Sequence, residues 1–287
     1  MPKAKPKKNS FRRICPMARA HFTLQGKGGV GKSLVSALIA QHRQENNVPL
    51  ICVDTDPVNA TFSGYTAFPV KRIELLKENT IDEREFDRLM ELIVDNRDTE
   101  IVIDNGASSF IPLSSYLVEN EAIDMLHSLG HSIIIHPVVT GGQSLLDTLS
   151  GFDALASQFP ASADMVVWLN YYFGPIEKEG KTFEEMKVYQ DHKGRVKGVV
   201  RIDRHNQATF GEDMQQMLEN RMTFSQAIES EKFKLMAKQR LRKMKDELFK
   251  QMDQILAVSE KPVAKKHSAA EAKKPKKVSR TSGKRSE

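Results

Sequence analysis

Eight residues near the start of the chain, Gly26-Lys27-Gly28-Gly29-Val30-Gly31-Lys32-Ser33, follow the pattern GxxxxGK[ST] after an apolar run and before a helical one. Glycines at these positions let backbone N–H groups converge on phosphate oxygens without Cβ hindrance, and a helix opening here adds the positive end of its dipole. Lys32 is then the charge that neutralises the β and γ phosphates, and the Ser33 hydroxyl is a ligand for Mg²⁺. This chemistry takes a nucleoside triphosphate with its cation. All eight residues are candidate nucleotide-binding residues; the competing reading is a glycine turn at a helix start.

Two further runs end in carboxylates. Leu50-Ile51-Cys52-Val53-Asp54-Thr55-Asp56-Pro57 and Ile101-Val102-Ile103-Asp104 are apolar strands closed by aspartate. In an open parallel sheet the C-terminal ends of strands lie beside the phosphate loop, where ligands bind. Asp104 has the form of a Walker B residue that holds Mg²⁺ through water. Val166 to Asn170 is another such strand, ending in Asn. Val139 to Ser144 precedes a helix and reads equally as a sensing loop or an ordinary helix start. The eight His show no metal-ligand spacing, so no transition metal is expected, and no Ser-His-Asp or Cys-His arrangement can be argued.

The elements that must position these residues alternate. His21–Gln25, Leu50–Val53, Ile101–Ile103, Ile133–Val139, Val166–Leu169 and Val199–Ile202 read as strands, several of them continuous apolar runs of the kind buried on both faces. Residues 33–46, 83–96, 112–129 and 143–158 have helical spacing, and 72–76 is a further short strand. Strand and helix in alternation predict an α/β fold with a mostly parallel, doubly wound sheet flanked by helices. A last helix is expected at 231–256, with Phe233, Met236, Leu241, Met244, Leu248, Met252 and Ile255 on one stripe and lysines elsewhere. That helix either packs on the sheet or meets a membrane surface or partner.

The net charge of +6 divides unevenly: residues 1–19 carry +7, residues 261–287 carry +8, and residues 20–260 carry −9. The expected organisation is a basic arm over 1–19, a P-loop ATPase domain over 20–260 and a Lys-rich tail over 261–287, both ends disordered by composition. Met17 is a possible start, in which case residues 1–16 are not translated. The tail is either an electrostatic attachment to non-specific DNA or a solubilising segment. No stretch is apolar enough to span a membrane, no h-region follows the basic start, and Cys15 and Cys52 make no disulfide framework. Export is therefore not expected, and a reducing cytoplasm is.

Lys27 makes the loop KGGxGKS, which resembles the deviant Walker A of the MinD/ParA and nitrogenase iron protein class of P-loop ATPases. The resemblance implies ATP as ligand and a homodimer with ATP at its interface, Lys27 reaching the phosphates bound by the other subunit. It also implies that Asp56, in the DxDP element, orients or activates the attacking water, that Asp54 and Asn59 support the Mg²⁺ shell, and that Asn170 bonds the adenine. The catalytic set is then Lys27, Lys32 and Asp56, and the metal set Ser33, Asp54 and Asp104. Partition ATPases continue DPQGN where this chain has DPVNAT. Beyond these motifs, DTDPVNATF, IDNGASSF, VVTGGQ, LASQFPA, VVWLN, GPIEKEGKTFEEMK and RMTFSQA make residues 17–250 similar to the TraL family of IncP-type plasmid conjugal transfer proteins. That resemblance implies a slow, partner-stimulated cytoplasmic ATPase accessory to DNA transfer, positioning or recruiting transfer proteins. The alternatives are a ParA-type partition ATPase that binds DNA and, further off, an ATP-dependent synthetase.

Overall fold

A computed structural model describes residues 18–256 apart from residue 79. The expected arm and tail therefore lie almost wholly outside the described residues. The chain opens with β1 (Arg19–Leu24), α1 (Lys32–Glu45), β2 (Leu50–Asp54) and β3 (Val70–Arg72), then a small hairpin of β4 (Leu76–Lys77) and β5 (Thr80–Ile81). Next come α2 (Glu85–Asp95), β6 (Glu100–Asp104), α3 (Phe110–Glu119), α4 (Ala122–Ser128), β7 (Ser132–Thr140), α5 (Leu145–Gln158) and β8 (Ala163–Asn170). A second hairpin, β9 (Glu177–Lys178) and β10 (Lys181–Thr182), leads to α6 (Lys187–His192) and β11 (Val196–Ile202), followed by α7 (Glu212–Glu219), α8 (Phe224–Glu229) and α9 (Leu235–Leu256).

Seven strands form one sheet in the order β11-β8-β7-β1-β6-β2-β3, and every pairing in it is parallel. The fold is the expected doubly wound α/β sheet. The continuous apolar runs are explained by its two covered faces: Phe22, Ile103, Ile135 and Val167 enter the core beneath α2 to α6, whereas Val102, Ile134, Val166 and Trp168 enter the core beneath α1 and α7 to α9. The strand order reverses about β1, so the loops leaving β1, β2 and β6 open together at one end of the sheet.

Three expectations shift. The stretch 112–129 is two helices, broken at Glu121, which takes a left-handed φ of 49°. The extra strand is Val70–Arg72, set by pairing of Cys52 with Val70, and Leu75 turns into the core instead. The last helix starts at Leu235 and packs on β11 and α8, burying Ala237, Leu241, Met244, Leu248 and Met252. Met236 is not on that stripe; one residue before Ala237, it is rotated about 100° away and is 61% exposed.

A buried polar chain ties this helix to the strand starts. Trp168 Nε1–H can only donate, so His136 Nδ1 accepts (2.9 Å); His136 Nε2–H then donates to His21 Nδ1 (2.9 Å), and His21 Nε2–H to Glu100 Oε2 (3.2 Å). Both imidazoles are thereby held neutral, and burial lowers both. Burial pushes the Glu100 carboxyl up, but the hydrogen bond from His21 and the charges of Arg43 and Arg19 outweigh it and hold it ionised. Arg43 pairs with Glu100 (2.8 Å), and Arg43 and Arg19 both donate to the Leu256 carbonyl (2.9 and 2.8 Å). Two arginines thus meet at the carbonyl of Leu256, the last described residue of α9.

Candidate functional site

The loop from Gly26 to Ser33 leaves β1 and becomes the first turn of α1. Two of its glycines are required by geometry. Gly29 and Gly31 hold left-handed φ values of 73° and 104°, and a Cβ on Gly31 would stand 2.8 Å from the Asn170 amide nitrogen. The helix begins with no acidic residue in its first turn and ends with His42 and Arg43, leaving its N-terminus open to an anion. Lys32 is buried, and its ammonium donates to the Lys27 carbonyl (3.0 Å) across the loop. Burial lowers its affinity for the proton, and the nearby Asp104 and Asp56 oppose that.

The carboxylates divide the work. Asp54 lies fully buried at the end of β2 and commits both oxygens to the following loop, Oδ1 accepting from Asp56 N (3.0 Å) and Oδ2 from Ser63 N and Oγ (both 2.8 Å). Asp56 accepts from Val58 N (2.8 Å) and Asn59 N (3.0 Å) through Oδ1 and lines the cavity over the loop. Its approach is possible because residue 106 is glycine: a Cβ there would meet the Asp56 carboxylate at 2.8 Å. Asn59 contributes its backbone N–H and also lines that cavity.

Asp104 is buried at the end of β6. Its Oδ1 accepts from Ser36 Oγ (3.0 Å), while Oδ2 is buried with no hydrogen-bond partner. Burial raises its pKa to about 7; the Ser33 and Ser36 hydroxyls and Lys32 pull it down, while Asp54 pushes it further up. An orphaned oxygen on a buried carboxylate beside a serine hydroxyl is what a cation-binding pair looks like before the cation arrives. Among the described residues no three His, Cys, Asp or Glu side chains converge as a self-sufficient metal site. A cation held by Ser33 and Asp104 therefore needs oxygens from a bound ligand, which is how Mg²⁺ is held beside phosphates.

Two cavities open off the loop. One, of about 500 Å³, is walled by Gly28, Gly31, Lys32, Ser33, Asp56 and Ala107. The other, of about 310 Å³, shares Gly29 and Gly31 with the first and is more apolar, lined by Tyr172, Phe173, Ile202, Phe210 and Met214. Asn170 lines the second, nearly fully buried, donating to the Val30 carbonyl (2.9 Å) and accepting from Tyr172 N (3.1 Å). It fastens the loop to the end of β8, a role with no signal in the sequence.

Lys27 points elsewhere. Its ammonium pairs with Asp147 in the first turn of α5 (2.8 Å), both side chains about half exposed. The sequence-derived residues of the loop, Asp54, Asp56, Asp104 and Asn170, thus gather at one end of the sheet, and Lys27 stands at its rim.

No family profile matches the sequence. Two Escherichia coli proteins, each named Protein TraL, match it over 237 residues, which is 83% of this chain and 98% of each relative; one is 52% identical and the other 48%. The chain belongs to the TraL family. Among solved structures it is similar to the cell division ATPase MinD of Pyrococcus furiosus, at 17% identity and a TM-score of 0.49 over 82% of this chain and 99% of that one. The MinD cell division protein of Aquifex aeolicus has a TM-score of 0.45 at 16% identity, over 81% of this chain and 97% of that one.

Several residues that complete this TraL-family site carry no motif. Gln25 accepts from Gly26 N through its side-chain oxygen (2.9 Å) and donates to the Val138 and Thr148 carbonyls (2.9 and 3.1 Å), pinning the loop's first residue to β7 and α5. Phe110 lies against Gly26, where a Cβ would meet its ring at 2.9 Å. The apolar lining at Tyr172, Phe173 and Ile202 follows β8 and ends β11; its one sequence signal is its place at the C-terminal ends of parallel strands.

Proposed function

We propose that this chain is a Mg²⁺-dependent ATPase that works as a nucleotide-gated homodimer, accessory to conjugal DNA transfer in the cytoplasm. The observation that carries the reading is the pairing of a glycine phosphate cradle with the unpartnered buried oxygen of Asp104. Main-chain N–H groups from Gly28 to Ser33 and the Lys32 ammonium bind the phosphates. Ser33 and Asp104 would hold the Mg²⁺, which would supply neutralisation of the phosphate charge. Asp56 orients the attacking water. Asp54 holds the loop that carries Asp56 and stands by the cation through its charge. The apolar cavity behind Asn170 takes the adenine, and Asn170 keeps the base pocket and the loop in register.

Lys27 supplies the gate. In a single chain it is held by Asp147, an exposed pair that contributes on the order of 0.2 to 1 kcal/mol. A triphosphate bound by a second copy offers it more charge than one carboxylate does, so ATP shifts Lys27 from Asp147 to the partner and the dimer forms. A ligand drives such a change only through its different affinity for the two states. The name shared by the relatives supports a place among transfer proteins, which are the expected partners of the ATP-bound form; the basic tail adds non-specific affinity for DNA.

Light scattering tests the gate. Mg²⁺ and ATP should convert monomer to dimer, and Lys27→Gln should abolish the conversion while the monomer still binds nucleotide. An ATP-saturated monomer in the unmutated chain would contradict it. Capture from donor cells with Asp56→Ala, expected to persist in its ATP form, then identifies the partner.

A further inference from the structure

The connection from β8 to β11 does more than cross the sheet. A 3₁₀ turn at Phe183–Glu185 and α6 pack on α5 through Phe152 and Phe183 (ring centroids 5.6 Å apart) and through the His192–Asp153 pair (2.7 Å). The hairpin β9–β10 stands away from this contact, turned by Glu179 and Gly180 at φ 53° and 74° and braced by Glu185, which accepts from Thr182 N and Oγ1 (both 2.9 Å). Between hairpin and helix lies a groove of about 360 Å³. Its floor is apolar, with Leu149 and Met186 deep in it and Leu146 55% exposed at its lip.

The rim carries an unfavourable arrangement. Lys178 and Lys181 are directly opposed in the antiparallel register, and both are exposed. Like charges facing each other across a strand pair are destabilising. Neither ammonium has a carboxylate within ion-pairing distance among the described residues, since the carboxylate whose charge bears on Lys181, Glu185, is already engaged by Thr182. On the other wall Asp153 is matched by His192, and at the end of the groove Lys187 by Asp191. Glu179, at the tip of the turn, is the remaining acid of the groove lining; Glu177 is opposed to Thr182 and so lies on the other face of the hairpin from Lys178 and Lys181.

We propose that this groove docks an acidic segment of a partner protein, an apolar side chain seated against Leu146 and Leu149 with flanking carboxylates between Lys178 and Lys181. The apolar floor and the acids at Asp153 and Glu179 favour a peptide over a polyphosphate backbone. Leu146 directly precedes Asp147, so the occupant bears on the same helical turn that holds Lys27; that link rests on the gate described above, whereas docking itself does not.

The test is selection of a displayed library of random dodecapeptides on the full chain without nucleotide, against a K178E/K181E variant as counter-target. Both lysines are exposed, so circular dichroism should show the variant folded. Clones enriched in Asp and Glu around Leu or Phe, recovered on the unmutated chain and not on the variant, support the proposal. A synthetic consensus peptide should lose about tenfold in affinity with K178E/K181E, or about 1.4 kcal/mol, and a similar factor with L146E. Recovery of the same clones on both chains, or no acidic enrichment, overturns it. Short duplex DNA that binds the unmutated chain and loses affinity in the same variant would assign the groove to nucleic acid instead. Because no nucleotide is present, failure here is distinguishable from failure of the ATPase reading.

Discussion

Replacing Asp104 by Asn should make the empty protein more stable and leave it unable to respond to Mg²⁺ and ATP. The carboxyl is buried, one of its oxygens has no partner, and burial raises it from 3.8 to about 7. Between those values the folded chain keeps a proton that the unfolded chain has lost, so Asp104 weakens folding as pH rises through the window, and above it the cost levels off at ~4 kcal/mol. An amide of the same shape removes that cost. It also removes a countercharge from Lys32, which leaves a net gain of roughly 2 to 4 kcal/mol at pH 8, or on the order of 5 to 15 °C in melting temperature. At pH 5 the folded carboxyl is protonated while the unfolded one is still mostly ionised, so the gain should shrink by roughly 2 to 3 kcal/mol, and it disappears only below the unfolded value of 3.8. With Mg²⁺ and ATP at about a hundred times their dissociation constant, the unmutated chain should recover ~3 kcal/mol that the variant does not. Urea midpoints and melting curves at the two pH values, with and without Mg²⁺ and ATP, measure all of this. An equal offset at both pH values, a variant less stable at pH 8, or one that keeps the full ligand-induced rise would refute the reasoning.

Other outcomes follow from the same structure. Asp147→Asn releases Lys27 from a half-exposed pair and should favour the ATP dimer by about two- to fivefold in light scattering, the equivalent of ~0.4 to 1 kcal/mol. Glu100→Ala strands the buried Arg43 and should cost roughly 3 to 5 kcal/mol in urea, with α9 losing amide-exchange protection at its C-terminal end first. The His21 and His136 imidazoles are lowered by burial, so the unfolded chain takes up protons that the folded chain refuses; in the Asp104→Asn background, which removes the opposing effect, stability should fall as pH drops below about 6.5. Gly31→Ala combines a left-handed backbone with a contact on Asn170 and should cost at least ~1 to 2 kcal/mol, with nucleotide affinity reduced at the same time.

What the sequence discloses depends on how local the cause is. The phosphate loop is legible because its backbone demands glycine at fixed offsets, and β2, β6 and β8 because a sheet covered on both faces writes unbroken apolar runs. The short elements from 171 to 229 escape, since α6 and α8 have only six residues each and a π-type turn at Gln207–Gly211 breaks the periodicity before α7. Pairings across the chain escape altogether: Lys27 meets Asp147, and His21 meets His136 and Glu100, through sheet order alone. Asn170 stands at the expected strand end, yet its amide bonds the Val30 carbonyl, a contact set by the packing of β8 against the loop.

Isothermal titration of the purified chain with a slowly hydrolysed ATP analogue, with and without Mg²⁺, is the most direct trial of the central claim. One nucleotide should bind per chain, more tightly with Mg²⁺, and Lys32→Ala should remove the heat. Absence of uptake, or uptake unaffected by Mg²⁺ and by loss of Lys32, would mean that the glycine loop does not cradle a triphosphate.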